Sequence, residues 1–297
     1  MTVFLRYCLA LLLLATSVRA EVPAVVTDIS PVQSLVAMVM RGLGSPQVIV
    51  AQGNPPHGTT LRPSQARALQ AADLVIWMGP GLTPRLAKPI NTLAAKAQQM
   101  VLLDAPGTYL LSYREADGKW PADPHAWLDP ENGKVWLGLI AEMLTRTDPD
   151  NAALYRANSR VGQKALTALQ GDLSTMLAPM QSRPYLTYHD AYQYFETRFG
   201  LMPIGAVTAG DAAAPGPAKL AQLRAKLAGP GEICVFAAPQ SDPRLLRAVT
   251  GADDLKIIPL DPMGNHLDPG PDLYPALLRD MARAFAACAN KPAIPPG

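Results

Sequence analysis

From Val22 onward the apolar residues follow two patterns that alternate along the chain. Short aliphatic, β-branched runs predict strands at Val22 to Ile29, Val48 to Ala51, Leu74 to Met78 and Met100 to Leu103. Between them, apolar positions three and four apart predict helices at Val32 to Leu43, Pro63 to Ala72 and Pro84 to Ala97. A loop rich in Gly, Pro and Asp runs from Ala105 to Asp129, and loops of that length are usually functional or mobile. Pro130 to about Thr145 reads as a helix. Asn151 to Met180 reads as one unusually long helix whose apolar stripe is Leu154, Val161, Ala165, Leu169, Leu173 and Leu177.

The strand–helix alternation then resumes. Strands are predicted at Tyr185 to Tyr188, Ile204 to Val207, Ile233 to Ala237 and Leu255 to Leu260. Helices are predicted at Ala191 to Phe199, from the flexible stretch Ala209 to Pro217 up to Leu227, at Pro243 to Val249 and at Leu273 to Ala289. Repeated βα units imply an α/β fold with mainly parallel sheets covered on both faces. The expected organisation is an N-terminal lobe over 21–149, a long linking helix over 150–181, a C-terminal lobe over 182–290 and a tail over 291–297. No internal sequence repeat is visible. In open parallel sheets, ligands bind beyond the carboxyl ends of the strands, so the site is expected between the lobes.

Composition narrows the partners. A formal charge of +2 over 297 residues, with cations scattered rather than clustered, gives no reason to expect nucleic-acid binding. Residues 1–20 read as a secretory signal: Arg6, the apolar run Tyr7 to Thr16, then Val18-Arg19-Ala20 ending in a small residue. That run is too short to span a bilayer comfortably, and no later segment is long and apolar enough. The mature chain is expected to start near Glu21, in the periplasm, without stable membrane insertion and as a monomer. Cys8 leaves with the signal. Cys234 and Cys288 then remain where disulfides persist and are expected to pair, two buried free thiols being the alternative.

The candidate chemistry lies in three of the four histidines. His57, His125 and His189 stand in GNPPHGTTLRPS, DPHAWLDP and YHDAYQYFE, each just after a strand or in a loop. Neutral imidazole is the commonest metal-binding side chain, and three suit zinc. Asp261 falls on the same expected sheet edge. One His alone is more often structural, so the three matter together; ligands so far apart in sequence meet only if the lobes face each other.

The strings GNPPHGTTLRPSQARALQAADLVIWMGPGL, DPHAWLDPENG, YHDAYQYFETRFGL, LDPMG and ICVFAAPQSDP with FAACAN cover nearly all of the mature chain. With them the chain resembles the metal-specific substrate-binding proteins of bacterial ABC transporters, in the zinc-type ZnuA branch of the cluster that includes TroA. The resemblance implies His57, His125 and His189 as metal ligands, with Asp261 as fourth, directly or through a water. It also implies a Cys234–Cys288 disulfide, a Zn²⁺ cargo, and a permease with its ATPase as partners. His189, where manganese-type relatives often carry Glu, favours zinc, since manganese prefers more oxygen ligands. The implied role is a receptor, not an enzyme, and the long helix should restrain lobe closure. A zinc hydrolase using an open fourth position and a surface adhesin are the competing classes.

Several positions depart from the family pattern. The loop before His125 lacks the His-rich insertion of many zinc-type members and offers only Glu115, Asp117 and Asp123. Pro56 stands before the first ligand and Ala238 in the APQ string, where acids occur in relatives. His266 is either a surface residue or a further contact at the mouth of the site. Asp190 is either an acceptor for His189 or the N-cap of the following helix. Trp77, Trp127 and Trp136 read as packing, with Trp127 a candidate wall of the site; Gly79 and Gly81 read as turn residues.

Overall fold

The computed structural model describes residues 21–58, 60–114, 122–209, 215–229, 233–252 and 255–289. The expected signal, the tail, Glu115 and Asp117 lie outside them. The first lobe contains β1 (Val25–Thr27), α1 (Ser30–Val39), β2 (Gln47–Val48), α2 (Pro63–Gln70), β3 (Leu74–Trp77), α3 (Pro84–Leu93) and β4 (Gln98–Val101). Next come α4 (Pro130–Thr147) and the long α5 (Ala152–Leu177). The second lobe holds β5 (Tyr185–His189), α6 (Gln193–Phe199), β6 (Gly205–Thr208), α7 (Pro217–Leu227), β7 (Cys234–Ala237), α8 (Pro243–Thr250), β8 (Ile257–Pro259) and α9 (Leu273–Ala289).

Both sheets are parallel and share one connectivity, β2-β1-β3-β4 and β6-β5-β7-β8. The α/β class is as the alternation implied. The repetition of topology is invisible as sequence repetition, because each lobe needs only buried aliphatics at equivalent strand positions. In each lobe the chain leaves the second-listed strand in one direction and resumes on its other side. That reversal opens a crevice at the carboxyl ends of β1 and β5.

Some boundaries move, for identifiable reasons. β4 starts at Gln98, before the expected Met100, because backbone pairing with Leu74 and Val75 on an edge strand tolerates exposed glutamines. α3 stops at Leu93; Ala94 caps it, and a turn closed by Ala97 N–H on the Ala94 carbonyl feeds β4. β2 is two residues long, yet Ile49 and Val50 continue to donate to Thr27 and Asp28 while their side chains drop into the core. α1 is buried on every side, as a helix sandwiched between layers must be.

The stripe of α5 also differs in its first half. Leu154 and Val161 are 39% and 69% exposed, and Ala165 is exposed; the buried positions are Tyr155, Ser159, Gly162 and Leu166, then Leu169, Leu173 and Leu177. The cause is polar and steric. Ser159 donates to the Leu137 carbonyl (2.9 Å), Asn158 to those of Val39 and Arg41 (2.9 Å each). A Cβ at Gly162 would come within 2.9 Å of Leu137 and 3.0 Å of Met38, so the glycine permits close helix contact.

One hydrophobic core runs through both lobes, from Val26 and Trp77 in the first sheet to Tyr185, Phe236 and Phe285 in the second lobe. Alternate strand residues face away: Leu186 and Val235 join a smaller cluster under α7 and α8. Although α9 ends the second lobe, it packs on α5 and α1. Its Tyr274 ties it to the first lobe: the N–H donates to Ser34 Oγ (2.9 Å) and the hydroxyl to the Trp127 carbonyl (2.7 Å). Cys288 near the end of α9 is disulfide-bonded to Cys234 at the start of β7, with Cα atoms 6.1 Å apart. Closing a loop of 54 residues is worth about 4 kcal/mol in the chain-entropy model.

Asp28, directly after β1, is fully buried and accepts from the N–H groups of Ile29 (2.9 Å) and Met78 (3.0 Å) and from Thr83 Oγ1 (3.3 Å). Burial raises its pKa to about 7 despite those donors. A folded-state pKa above the unfolded value means stability present at low pH and lost as pH rises through about 7, by up to about 4 kcal/mol. Asp28→Asn, which cannot titrate, should therefore gain stability relative to wild type as pH rises from about 4 to 8. Denaturant unfolding of both proteins across that range checks this; parallel profiles would contradict it.

Candidate metal centre

The three histidines meet between the lobes. His57 sits in the 3₁₀ turn Pro56–Gly58 after β2 and is half-buried. His125 precedes the 3₁₀ turn Ala126–Leu128 and is 4% exposed. His189 ends β5, at the crevice of the second sheet, and is 8% exposed. One ring nitrogen from each lies within 4.8 Å of the other two. Nε2 of His125 and Nε2 of His189 are 3.2 Å apart. Two nitrogens on one tetrahedral zinc, each about 2.0–2.1 Å from it, stand about 3.3 Å apart, so this separation suits a shared ion.

His125 is oriented from behind. Asp123 Oδ1 accepts from both the backbone N–H (3.0 Å) and ring Nδ1 (2.7 Å) of His125. The first bond is an Asx turn across Pro124; the second puts the proton on Nδ1 and leaves Nε2 as a lone pair aimed at the other histidines. Asp123 is itself fixed, its N–H donating to Leu111 (2.8 Å) and its carbonyl accepting from the Tyr194 hydroxyl (2.7 Å). Of the three acids in the loop before His125, Asp123 serves that histidine. The signal was in DPH: an Asp two residues before a His, with Pro between.

Trp127 walls the site. Its ring centroid lies 5.3 Å from that of His125, and its Nε1 donates to the Pro262 carbonyl across the lobes (2.9 Å). Trp77 and Trp136 are buried in the core, as read from the sequence. Gly79 turns the chain at φ 118° after β3. Asp190 does not cap α6, whose N-cap is Tyr192. It pairs with Arg114 (3.0 Å), which also pairs with Glu196; Tyr185 donates to the other Glu196 oxygen (2.8 Å). Burial pushes both carboxyls up, and Arg114 pulls them back. This network ties the long loop to the second lobe just behind His189.

Asp261 is not in the group of mutually close ligand atoms. Its carboxylate accepts from Met263 N–H (2.9 Å), Asn265 N–H (2.6 Å) and Asn265 Nδ2 (3.1 Å), closing the turn after β8. His266 is 58% exposed and is bonded through Nε2 to Asp280 (3.1 Å), apart from the three histidines. The chamber around His125 and His189 has a volume of about 380 Å³ and is also lined by Pro56, Trp127, Tyr192 and Met263.

The model of a family described as ZnuA, zinc-uptake complex component A, periplasmic, matches residues 25–288. The chain belongs to the ZnuA family. The high-affinity zinc uptake system protein ZnuA of Paracoccus denitrificans is 41% identical over 306 residues, covering 92% of this chain and 94% of its own. The protein of the same name from Brucella suis biovar 1 is 34% identical, covering 93% of this chain and 94% of its own. A crystal structure of ZnuA has a TM-score of 0.78 at 24% identity, covering 91% of this chain and all of that one; at this identity the likeness concerns the fold.

In this ZnuA-family chain, removal of a partner that fixes a ligand's tautomer should cost about 10–100-fold in metal affinity. Asp123→Ala is expected to weaken zinc binding by that factor, and Asp123→Asn, which keeps an acceptor, by less. Competition against a chromophoric chelator measures both. Unchanged affinity in the alanine variant would show that the carboxylate does not orient the ring.

Proposed function

We propose that this chain is the zinc receptor of an ABC importer, capturing Zn²⁺ in the periplasm and presenting it to a membrane permease driven by an ATPase. The observation that carries the reading is the convergence of three imidazole nitrogens within 4.8 Å of one another, beside a chamber lined by His125 and His189. Three nitrogen donors suit zinc better than manganese. The relatives named as high-affinity zinc uptake proteins support the same cargo. His57, His125 and His189 are the ligands in this reading. Asp261 is the fourth, directly or through a water; to bind directly its carboxylate leaves the N–H groups of Met263 and Asn265. The chain performs no chemistry on the ion. Residues 1–20 direct export and are removed. Among the described residues no helix is long and apolar enough to cross a membrane, which suits a receptor that meets its permease from outside the bilayer.

The core shared by both lobes supports capture with little lobe movement. Binding needs each imidazole neutral, so affinity falls as pH is lowered. His57→Ala, His125→Ala and His189→Ala should each weaken zinc binding by at least about 100-fold, each ligand being worth several kcal/mol, and Asp261→Ala by less. Competition titration checks the four variants, and native mass spectrometry with zinc and manganese together checks the cargo. Unchanged affinity in any histidine variant removes that residue from the site; preferential loading with manganese overturns the zinc assignment.

A further inference from the structure

His57 lies in a loop that follows β2, and the structure shows what holds that loop. Residues 51–54 form a turn closed by Asn54 N–H on the Ala51 carbonyl (3.1 Å), with Gly53 at φ +81°. That is the third position of a type II turn, where glycine is needed. The Gly53 N–H donates to Asn265 Oδ1 of the second lobe (2.7 Å). The neighbouring Gln52 Nε2 donates to the Leu267 carbonyl (2.7 Å). The turn is thus gripped at two points by one segment of the opposite lobe.

Asn265 is well placed to grip. Its backbone N–H and its Nδ2 both donate to Asp261, at 2.6 and 3.1 Å, which fixes the amide with Oδ1 facing Gly53. From Gly53 the path to His57 is Asn54-Pro55-Pro56. Two successive prolines fix φ and restrict the residue before each, so little slack separates the gripped turn from the imidazole. Gly53, Gln240 and Asn265 also line both the metal chamber of about 380 Å³ and an outer cavity of about 710 Å³. The contact therefore stands in the partition between the two spaces.

We infer that Asn265 is a positioning residue for His57: braced by Asp261, its amide holds the Gly53 turn and so keeps the His57 imidazole at the metal. This rests on the reading of His57 as a ligand. It also gives Asp261 a task that needs no contact with the ion. Losing the grip leaves His125 and His189 in place and frees the third donor, so the loss should appear as faster metal release.

The test is a double-mutant cycle on the exported chain with zinc, read by chelator competition and by the rate of zinc release to EDTA. Asn265→Ala should weaken binding about tenfold and speed release by a similar factor. In a His57→Ala background, where only the loss of its bond to Asp261 still counts, both changes should be much smaller. A general structural role would cost the same in both backgrounds. Gln52→Ala, exposed and away from Asp261, should show a smaller loss that vanishes without His57, and it serves if Asn265→Ala fails to fold. Equal losses in the two backgrounds, or no loss from either variant, overturn the inference while leaving the three-histidine site intact. An unchanged affinity in His57→Ala alone overturns the ligand reading itself.

Discussion

A cation held by three imidazoles requires their nitrogens to be placed within a few tenths of an ångström, from segments that share no backbone. In the proposed function, the packing of the two lobes meets that demand. A hinge between two independent lobes would let the nitrogens drift. Here the interior is continuous from the first sheet through α5 and α9 to the second sheet, so the lobes form one packed frame. Close-packed interiors resist small displacements, and the site inherits that stiffness.

Polar groups refine what the core makes rigid. Arg198 of the second lobe makes two bonds to Asp129, the N-cap of α4, at 2.8 and 2.7 Å. Arg114, Tyr194 and Trp127 add further crossings around His125 and His189. Buried pairs of this kind contribute little net stability compared with apolar packing, because desolvation offsets the attraction. Their geometry is directional, however, which suits the placement of rings. Among the described residues, the bonds of Trp127, Tyr194 and Arg114 cross beside His125 and His189, where direction matters more than burial.

The alternation of strands and helices was legible because buried parallel strands are written as aliphatic runs, and the three histidines because imidazole is scarce in this chain. What was illegible depended on partners distant in sequence. Leu154 and Val161 look like a helical stripe, yet Ser159, Asn158 and Gly162 rotate α5 by answering carbonyls and side chains of α1 and α4. Asp190 read as either an acceptor for His189 or the cap of the next helix, yet Tyr192 caps α6 and Asp190 pairs with Arg114 from the long loop. Asp261 stood on the right sheet edge, yet its oxygens are taken up by the turn that follows. Local pattern announces which residues are available; tertiary partners decide which of their atoms are free.

The position of α9 carries a consequence for the order of assembly. Tyr274 is bonded to Ser34, 240 residues earlier, and to the carbonyl of Trp127, two residues from His125. Contacts of such span form late, since the intervening chain must first be brought together. A polypeptide made from its N-terminus therefore lacks this brace on the His125 segment until α9 is available. Synthesis can proceed with that brace unmade, and the frame locks only once α9 is in place.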